Sequence, residues 1–274
     1  MSQERSHDDV RLDAFFASLP LARRALLILD YDGTLAPFTP ERDRATPYPG
    51  VRGILNQIIA TGRTQVVVVT GRAAATLQPL LGLRHPVEVW GSHGAERLHA
   101  DGSYLPAALP PAAQAGLEQA WEWLQQQTRP TQGERKPTAL ALHWRGFAEA
   151  DALALRQAAE QAWGEIARNS ELLLHPFDGG LELRAAGFDK GRAVRTLLAE
   201  AGSGVVAAFL GDDLTDEHAF AALRGQGLTI LVRPEFRPTA AELWLCPPEE
   251  LLAFLRRWHA ATSTPADSDL VGEE

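Results

Sequence analysis

Cysteine and lysine are almost missing from this 274-residue chain. The single cysteine, Cys246, has no internal partner for a disulfide, and a cysteine-rich zinc site is excluded with it. No apolar run approaches the roughly 18 residues that a membrane span needs. The stretch Met1–Val10 carries Glu4, Asp8 and Asp9 and has no apolar signal segment. Positive charge is short as well: the net charge of −9 argues against a surface built for nucleic-acid phosphates or anionic lipid. A cytoplasmic protein with no nucleic-acid or membrane partner is expected. The rest is ordinary for a globular protein, 45% hydrophobic and 22% charged, with a length that suits one large domain or two small ones. Of 26 basic residues only Lys136 and Lys190 are lysine. An ammonium is a compact, rotatable point charge that a guanidinium replaces poorly, so these two positions draw attention.

Along the chain, short apolar runs alternate with helical patterns. Ala25–Asp30, Gln65–Thr70, Val87–Trp90, Val205–Leu210 and Leu228–Val232 predict buried strands. Helices are predicted from Val51 to Ile58 behind Pro49-Gly50, from Ala73 to Leu80, after Lys190, and around Asp216–Leu223. Strands separated by helices make βαβ units, so an α/β, Rossmann-like core with a parallel sheet over residues 20–105 and 185–260 is expected. The middle, 106–184, differs. Leu117, Trp121 and Leu124 mark one helix, and Leu155, Ala159, Ala162 and Ile166 another. Thr138–Trp144, Leu172–His175 and Leu181–Arg184 predict half-buried strands. This is an inserted α+β module, with Pro106–Pro111 and Asp178-Gly179-Gly180 as its expected hinges. Residues 1–9 and 262–274 are expected to be disordered tails.

The first strand ends in Asp30-Tyr31-Asp32-Gly33-Thr34. Residues two apart share a side, so Asp30 and Asp32 point together from the carboxyl end of the strand, where open α/β sheets bind ligands. A calcium loop competes, because Asp30, Asp32 and Glu41 fit its positions 1, 3 and 12. Leu35, however, occupies the glycine position of such a loop, and a strand precedes it rather than a helix. A second acidic cluster, Gly211–Glu217, follows the Val205–Leu210 strand. Asp212, Asp213 and Asp216 are candidate metal ligands there, with helix capping as the alternative use of at least one of them. Converging carboxylates repel one another unless a cation holds them, and an oxygen-only set favours Mg²⁺. Counter-charge for an anionic substrate is available from Thr70-Gly71-Arg72, where a strand gives way to a helix, and from Lys190. A cation at a helix start opposes the macrodipole, so Lys190 is expected to serve function rather than local stability.

Together, Asp-x-Asp-Gly-Thr, the strand-terminal Thr70, Lys190 and Gly-Asp-Asp-x-Thr-Asp resemble the four motifs of haloacid dehalogenase-type phosphatases, and the insert resembles their C2-type cap. Leu29–Phe38, Gly91-Ser92-His93-Gly94, Glu134-Arg135-Lys136, His143-Trp144-Arg145 and Gly211–Glu217 are similar to trehalose-6-phosphate phosphatases. Trp144 stands where those relatives commonly have tyrosine, and Ala185 where proline is usual. The resemblance implies Asp30 as nucleophile, Asp32 as acid and base, and Thr70 and Lys190 as phosphoryl holders. It implies Mg²⁺ on Asp30, Asp212 and the Asp32 carbonyl, with Asp213 and Asp216 completing or orienting the shell. Substrate contacts are expected from Arg72, His93, Glu134, Lys136, His143, Arg145 and Glu182, with a turn role for His93 and solvated positions for His143 and Arg145 as alternatives. Trp121, Trp123 and Trp163 are expected in the core. The functions implied are trehalose 6-phosphate hydrolysis, linked to the synthase that makes this ester; hydrolysis of another sugar phosphate, such as sucrose phosphate or a glycosyl-phosphoglycerate; or a non-catalytic sugar-phosphate-binding module.

Overall fold

The computed structural model describes residues 2–39, 41–127, 132–177 and 179–263. In chain order the elements are α1 (Ser2–Ser18), β1 (Arg24–Leu29), α2 (Val51–Ala60), β2 (Thr64–Val69), α3 (Ala74–Leu81), β3 (Glu88–Gly91), β4 (Glu96–Leu98) and β5 (Tyr104–Pro106). Then follow α4 (Pro111–Gln125), β6 (Gly133–Lys136), β7 (Ala139–His143), α5 (Glu149–Ser170), β8 (Leu172–Phe177) and β9 (Gly180–Ala185). The chain closes with α6 (Lys190–Ala201), β10 (Val205–Gly211), α7 (Glu217–Leu223), β11 (Leu228–Val232), β12 (Leu243–Leu245) and α8 (Glu249–Ser263).

Two compact units result. The first comprises residues up to Tyr104 and from Asp189 onward, and the second is Leu105–Phe188. The first unit carries a sheet in the order β12-β11-β10-β1-β2-β3-β4-β5. Its strands from β12 to β3 pair in parallel, while β4 turns back antiparallel on β3. The link between β3 and β4, Ser92–Ala95, is too short for the crossover that a parallel pair requires. Alternate residues of each strand enter opposite layers, as a period of two dictates. Leu27, Leu29, Val66, Val68 and Leu210 pack with Val51, Leu55 and Trp258 on one face, and Leu26, Ile28, Val67 and Phe209 pack with Val194, Leu197 and Phe220 on the other. Burial on both faces explains why these strands are continuous apolar runs.

In the second unit an antiparallel sheet, β6-β7-β9-β8, packs one face on α4 and α5. Leu140, Leu142, Leu181 and Leu183 join Trp163 and Leu124 in that core. Trp163 is fully buried and edge-on to Trp123 at 6.1 Å.

Three expectations are corrected. Most of the 1–9 stretch lies within α1, whose C-terminal end is anchored where Phe16 packs beside Phe254 and under Arg257. Thr262 and Ser263 belong to α8, with Thr262 buried and donating to Trp258 O at 3.0 Å; residues 264–274 lie outside the described residues. The Gly179-Gly180 part of the expected second hinge instead closes the β8–β9 hairpin, with Phe177 opposite Gly180, and Asp178 lies outside the described residues. Gly179 has φ +79°, the left-handed conformation that a tight hairpin loop needs. Among the described residues no helix is long and apolar enough to cross a membrane.

Candidate active site

The carboxyl ends of β10, β1 and β2 lie side by side, with Leu29 in register with both Leu210 and Val68. Asp212, Asp30 and Thr70 therefore leave adjacent strands at the same end. The strand alternation sends Tyr31 the other way, into the core, where its hydroxyl donates to Ala45 O at 2.6 Å.

Asp30 is buried, and Lys190 Nζ donates to its Oδ1 at 2.7 Å and to Asp216 Oδ1 at 2.7 Å. Asp216 Oδ2 accepts the amides of Asp212 and Asp213 at 3.1 and 3.0 Å. Asp30, Asp212 and Asp216 offer carboxylate oxygens within 4.8 Å of one another. Burial raises the pKa of Asp30, and Asp216 adds to the rise against the pull of Lys190. Asp212 is also raised, by burial first and then by the charges of Asp30 and Asp216. Burial works against the Lys190 ammonium, but Asp216 and Asp30 more than offset it and its pKa is raised.

Three carboxylates thus face one ammonium, and Asp212 Oδ1 is buried without a hydrogen-bond partner. An orphaned buried oxygen in an all-oxygen, electron-rich pocket fits a hard divalent cation. Asp30 and Asp212 are the carboxylates best placed to hold it, because both Asp216 oxygens are already engaged. Asp213 instead caps the short turn that follows, its Oδ1 accepting Leu214 N at 2.7 Å. The calcium-loop alternative does not form: Glu41 is exposed and pairs with Arg44 at 2.7 Å.

Asp32 stands beside this group but is engaged differently. Arg72 grips it with a two-pronged fork, Nε to Oδ2 and Nη2 to Oδ1, both at 2.6 Å. Thr70 is fully buried, and its hydroxyl accepts Arg72 N at 3.2 Å. His93, at φ +57°, donates its amide to Thr70 O at 2.9 Å, and its ring lies over Gly71, where a Cβ would come within 2.6 Å of it. Gly33 permits a closer approach still. A Cβ there would stand 2.1 Å from Asp212 Oδ2, and its φ of +84° already favours glycine.

One residue of this region escaped the sequence reasoning. Buried Glu96 accepts Ala74 N at 3.0 Å and the Ser92 hydroxyl at 2.8 Å through Oε1, and the Tyr104 hydroxyl at 2.9 Å through Oε2. It ties the start of α3 to the Ser92-His93 turn. A carboxylate placed just after Gly-Ser-His-Gly was the available signal.

The remaining candidates lie in the second unit, and Glu134, Lys136, His143 and Glu182 are on the sheet face opposite its core. Glu134, Ala141, Glu182 and His175 form one cross-strand row, and Lys136, Ala139 and Arg184 the next. Lys136 Nζ donates to Glu182 Oε1 at 2.8 Å, and His143 Nε2 lies 3.2 Å from Glu134 Oε2. Arg145 sits beyond the end of β7, its side chain against Gly179. Arg184 and His175 share this face with Glu182 by strand alternation, a signal present in the sequence but not used.

The fold is that of haloacid dehalogenase-like hydrolases. One such protein from B. subtilis aligns over 84% of this chain and 98% of its own, with a TM-score of 0.55 at 16% identity. The trehalose-6-phosphate phosphatase of Aspergillus fumigatus aligns over 91% and 97%, with a TM-score of 0.68 at 23% identity. The family model described as Trehalose-phosphatase matches residues 28–243, and the chain belongs to that family. A rice protein, probable trehalose-phosphate phosphatase 4, is 31% identical over 86% of this chain and 66% of its own length. The chain spans 62–71% of the length of the first mycobacterial and rice relatives it matches.

Proposed function

We propose that the protein is a Mg²⁺-dependent phosphatase that hydrolyses trehalose 6-phosphate to trehalose and phosphate. The buried Asp30–Lys190–Asp216–Asp212 group, with its orphaned Asp212 oxygen, supports this most directly. Asp30, Asp212 and the Asp32 carbonyl would hold Mg²⁺, which would supply positive charge for the phosphoryl oxygens. Lys190 fixes one oxygen of Asp30, and the other attacks phosphorus as the bond to the sugar oxygen breaks. Asp32 gives its proton to that departing oxygen, then takes one from the water that hydrolyses the aspartyl-phosphate and restores Asp30. The Arg72 fork holds Asp32 as a carboxylate and must open for Asp32 to carry that proton, while Thr70 and Lys190 hold the phosphoryl group, since such transfer depends mainly on placement and charge. Arg72 and His93 are proposed to border the phosphate. Glu134, Lys136, His143, Arg145 and Glu182 are proposed to bond the sugar hydroxyls. A synthase that makes this ester would supply the substrate, in the cytoplasm, with no nucleic acid or membrane as partner.

Phosphate release from trehalose 6-phosphate, glucose 6-phosphate, sucrose 6-phosphate and an aryl phosphate, with and without EDTA, tests the proposal. Two bonds to charged groups at about 1.5–3 kcal/mol each predict a preference of roughly 10²–10⁴ in kcat/KM for trehalose 6-phosphate over glucose 6-phosphate. Asp30→Asn should release no phosphate and trap no labelled phospho-enzyme. Equal efficiency on every ester would leave a general sugar phosphatase, and binding without release would leave a sensor.

A further inference from the structure

A second layer of charge grips the link that carries Asp212. Asp212-Asp213 joins β10 to the turn at Leu214–Asp216, and its two amides face inward onto Asp216 Oδ2. Its two carbonyls face away, and both accept from Arg237: Nε reaches Asp212 O at 3.3 Å and Nη2 reaches Asp213 O at 2.7 Å. Arg233 Nη1 approaches Asp212 O at 3.4 Å.

Arg237 is itself pinned. Its Nη1 donates to Glu217 Oε1 at 2.5 Å and to Pro238 O at 2.9 Å, and its side chain is only 14% exposed. Glu217, the first residue of α7, also accepts the Thr239 hydroxyl and the Ala240 amide, each at 2.7 Å. The segment that carries Arg237 is thereby fastened to the helix that follows the acidic turn.

The geometry has a mechanical meaning. Peptide planes are rigid, so fixing both the amides and the carbonyls of a dipeptide fixes its backbone dihedrals. Asp212 is pushed outward by Asp30 and Asp216 and pulled outward by water. Without Arg237 the link would keep the Asp216 oxygen on its amides, the bond from Asp216 N to Asp213 O at 3.0 Å and the longer Arg233 contact at 3.4 Å, and the Asp212 carbonyl would be free enough to let Asp212 swing toward solvent. Charge-assisted bonds from a planar guanidinium oppose that swing through the carbonyls of the same two residues. We propose that Arg237 is a positioning residue for the cation site, keeping Asp212 against Asp30 although the two carboxylates repel. This rests on the reading of Asp30 and Asp212 as cation ligands.

Calorimetric titration of the full chain with Mg²⁺ alone, for wild type, Arg237→Gln and Arg237→Lys, tests it. Metal-free melting curves and kcat at saturating Mg²⁺ accompany the titration. Outer partners of metal ligands typically carry 10–100-fold in affinity, so Arg237→Gln should raise the Mg²⁺ Kd by about that factor. Its kcat at saturating Mg²⁺ should stay close to wild type. Arg237→Lys should fall between, because one ammonium does not span both carbonyls and Glu217. An unchanged Kd in Arg237→Gln, with only its melting temperature lowered, would make Arg237 a strut and overturn the proposal. Should Arg237→Gln fail to fold, a raised Kd in Arg237→Lys sustains the proposal and an unchanged one overturns it. A wild type that binds no Mg²⁺ would instead remove the cation reading itself.

Discussion

The two units gather charge on opposite terms. In the first, Asp30, Lys190, Asp212 and Asp216 are each at most 4% exposed. In the second, the Lys136 and Glu182 side chains are 29% and 15% exposed, and those of His143 and Glu134 are about half exposed. Burying a charge costs several kcal/mol after relaxation, whereas an exposed pair contributes roughly 0–1 kcal/mol. The first unit therefore holds like charges together against their own repulsion, and fold stability meets the cost. The second carries a polar face that can be altered residue by residue with little effect on folding. On the proposed function, chemistry would be set deep in one unit and selectivity at low cost on the surface of the other.

Asp212→Asn breaks the first half of this comparison most severely. It should abolish Mg²⁺ binding and reduce turnover by at least about 10³-fold, since an amide cannot replace a charged ligand. The metal-free variant should nevertheless melt higher than wild type at pH 8. The folded pKa of Asp212 is raised above its ordinary 3.8, by burial first and by Asp30 and Asp216 next. A raised carboxyl adds stability that is complete below pH 3.8 and is lost as pH climbs toward the folded value. Melting curves of metal-free wild type should show that decline, and Asp212→Asn should flatten it. A variant that melts lower at pH 8 would mean that the cluster stabilises the fold.

Lys136→Ala and Glu182→Ala sharpen the second half. Each should cost about 1.5–3 kcal/mol in kcat/KM for trehalose 6-phosphate, or roughly 10–100-fold, while hydrolysis of an aryl phosphate stays near wild type. Stability should fall by no more than about 1 kcal/mol. Equal losses on both substrates would place these residues in general folding or catalysis.

The smallest effect concerns the three tyrosines, all in the first unit. Burial raises Tyr31 to about 12 and raises Tyr48 as well; Tyr104 is half exposed, and the partial desolvation of its hydroxyl with the bond to Glu96 raises it to about 12. Stability from a raised tyrosine is complete below pH 10 and is lost as pH rises toward 12. Absorbance at 295 nm should therefore show little tyrosinate in the native protein at pH 10, where the unfolded chain is half ionised. A native curve that overlays the unfolded one would refute the burial of Tyr31 and the shielding of the Tyr48 and Tyr104 hydroxyls.

Much of the first unit was legible because strand order and acidic strand ends are written in apolar runs and in spacing. Asp30, Asp212 and Thr70 follow from that alone. Arg237 was not legible, because it bonds mainly to backbone carbonyls, which leave no motif at their own positions, whereas Glu96 had its signal in the carboxylate after Gly-Ser-His-Gly. Arg72 was assigned toward substrate on its place after Thr70-Gly71, but its fork toward Asp32 depends on a contact across the sheet end. Gly179-Gly180 suits a hinge and a hairpin equally, and only strand pairing decides between them. α1 was hidden because its N-terminal half is polar and its apolar anchors lie at one end.

The space above Gly33 has a consequence for redesign. Asp212 Oδ2 stands where a side chain at position 33 would begin. The turn after β1 and the turn after β10 are thus fitted as lock and bolt, although 178 positions separate Thr34 from Asp212 in sequence. Neither turn can be transplanted singly into another scaffold of this fold unless the recipient also leaves that gap. In a growing chain, the first turn must wait for the second before the site closes, so a ribosome that has made only the front half has made a keyhole without its bolt.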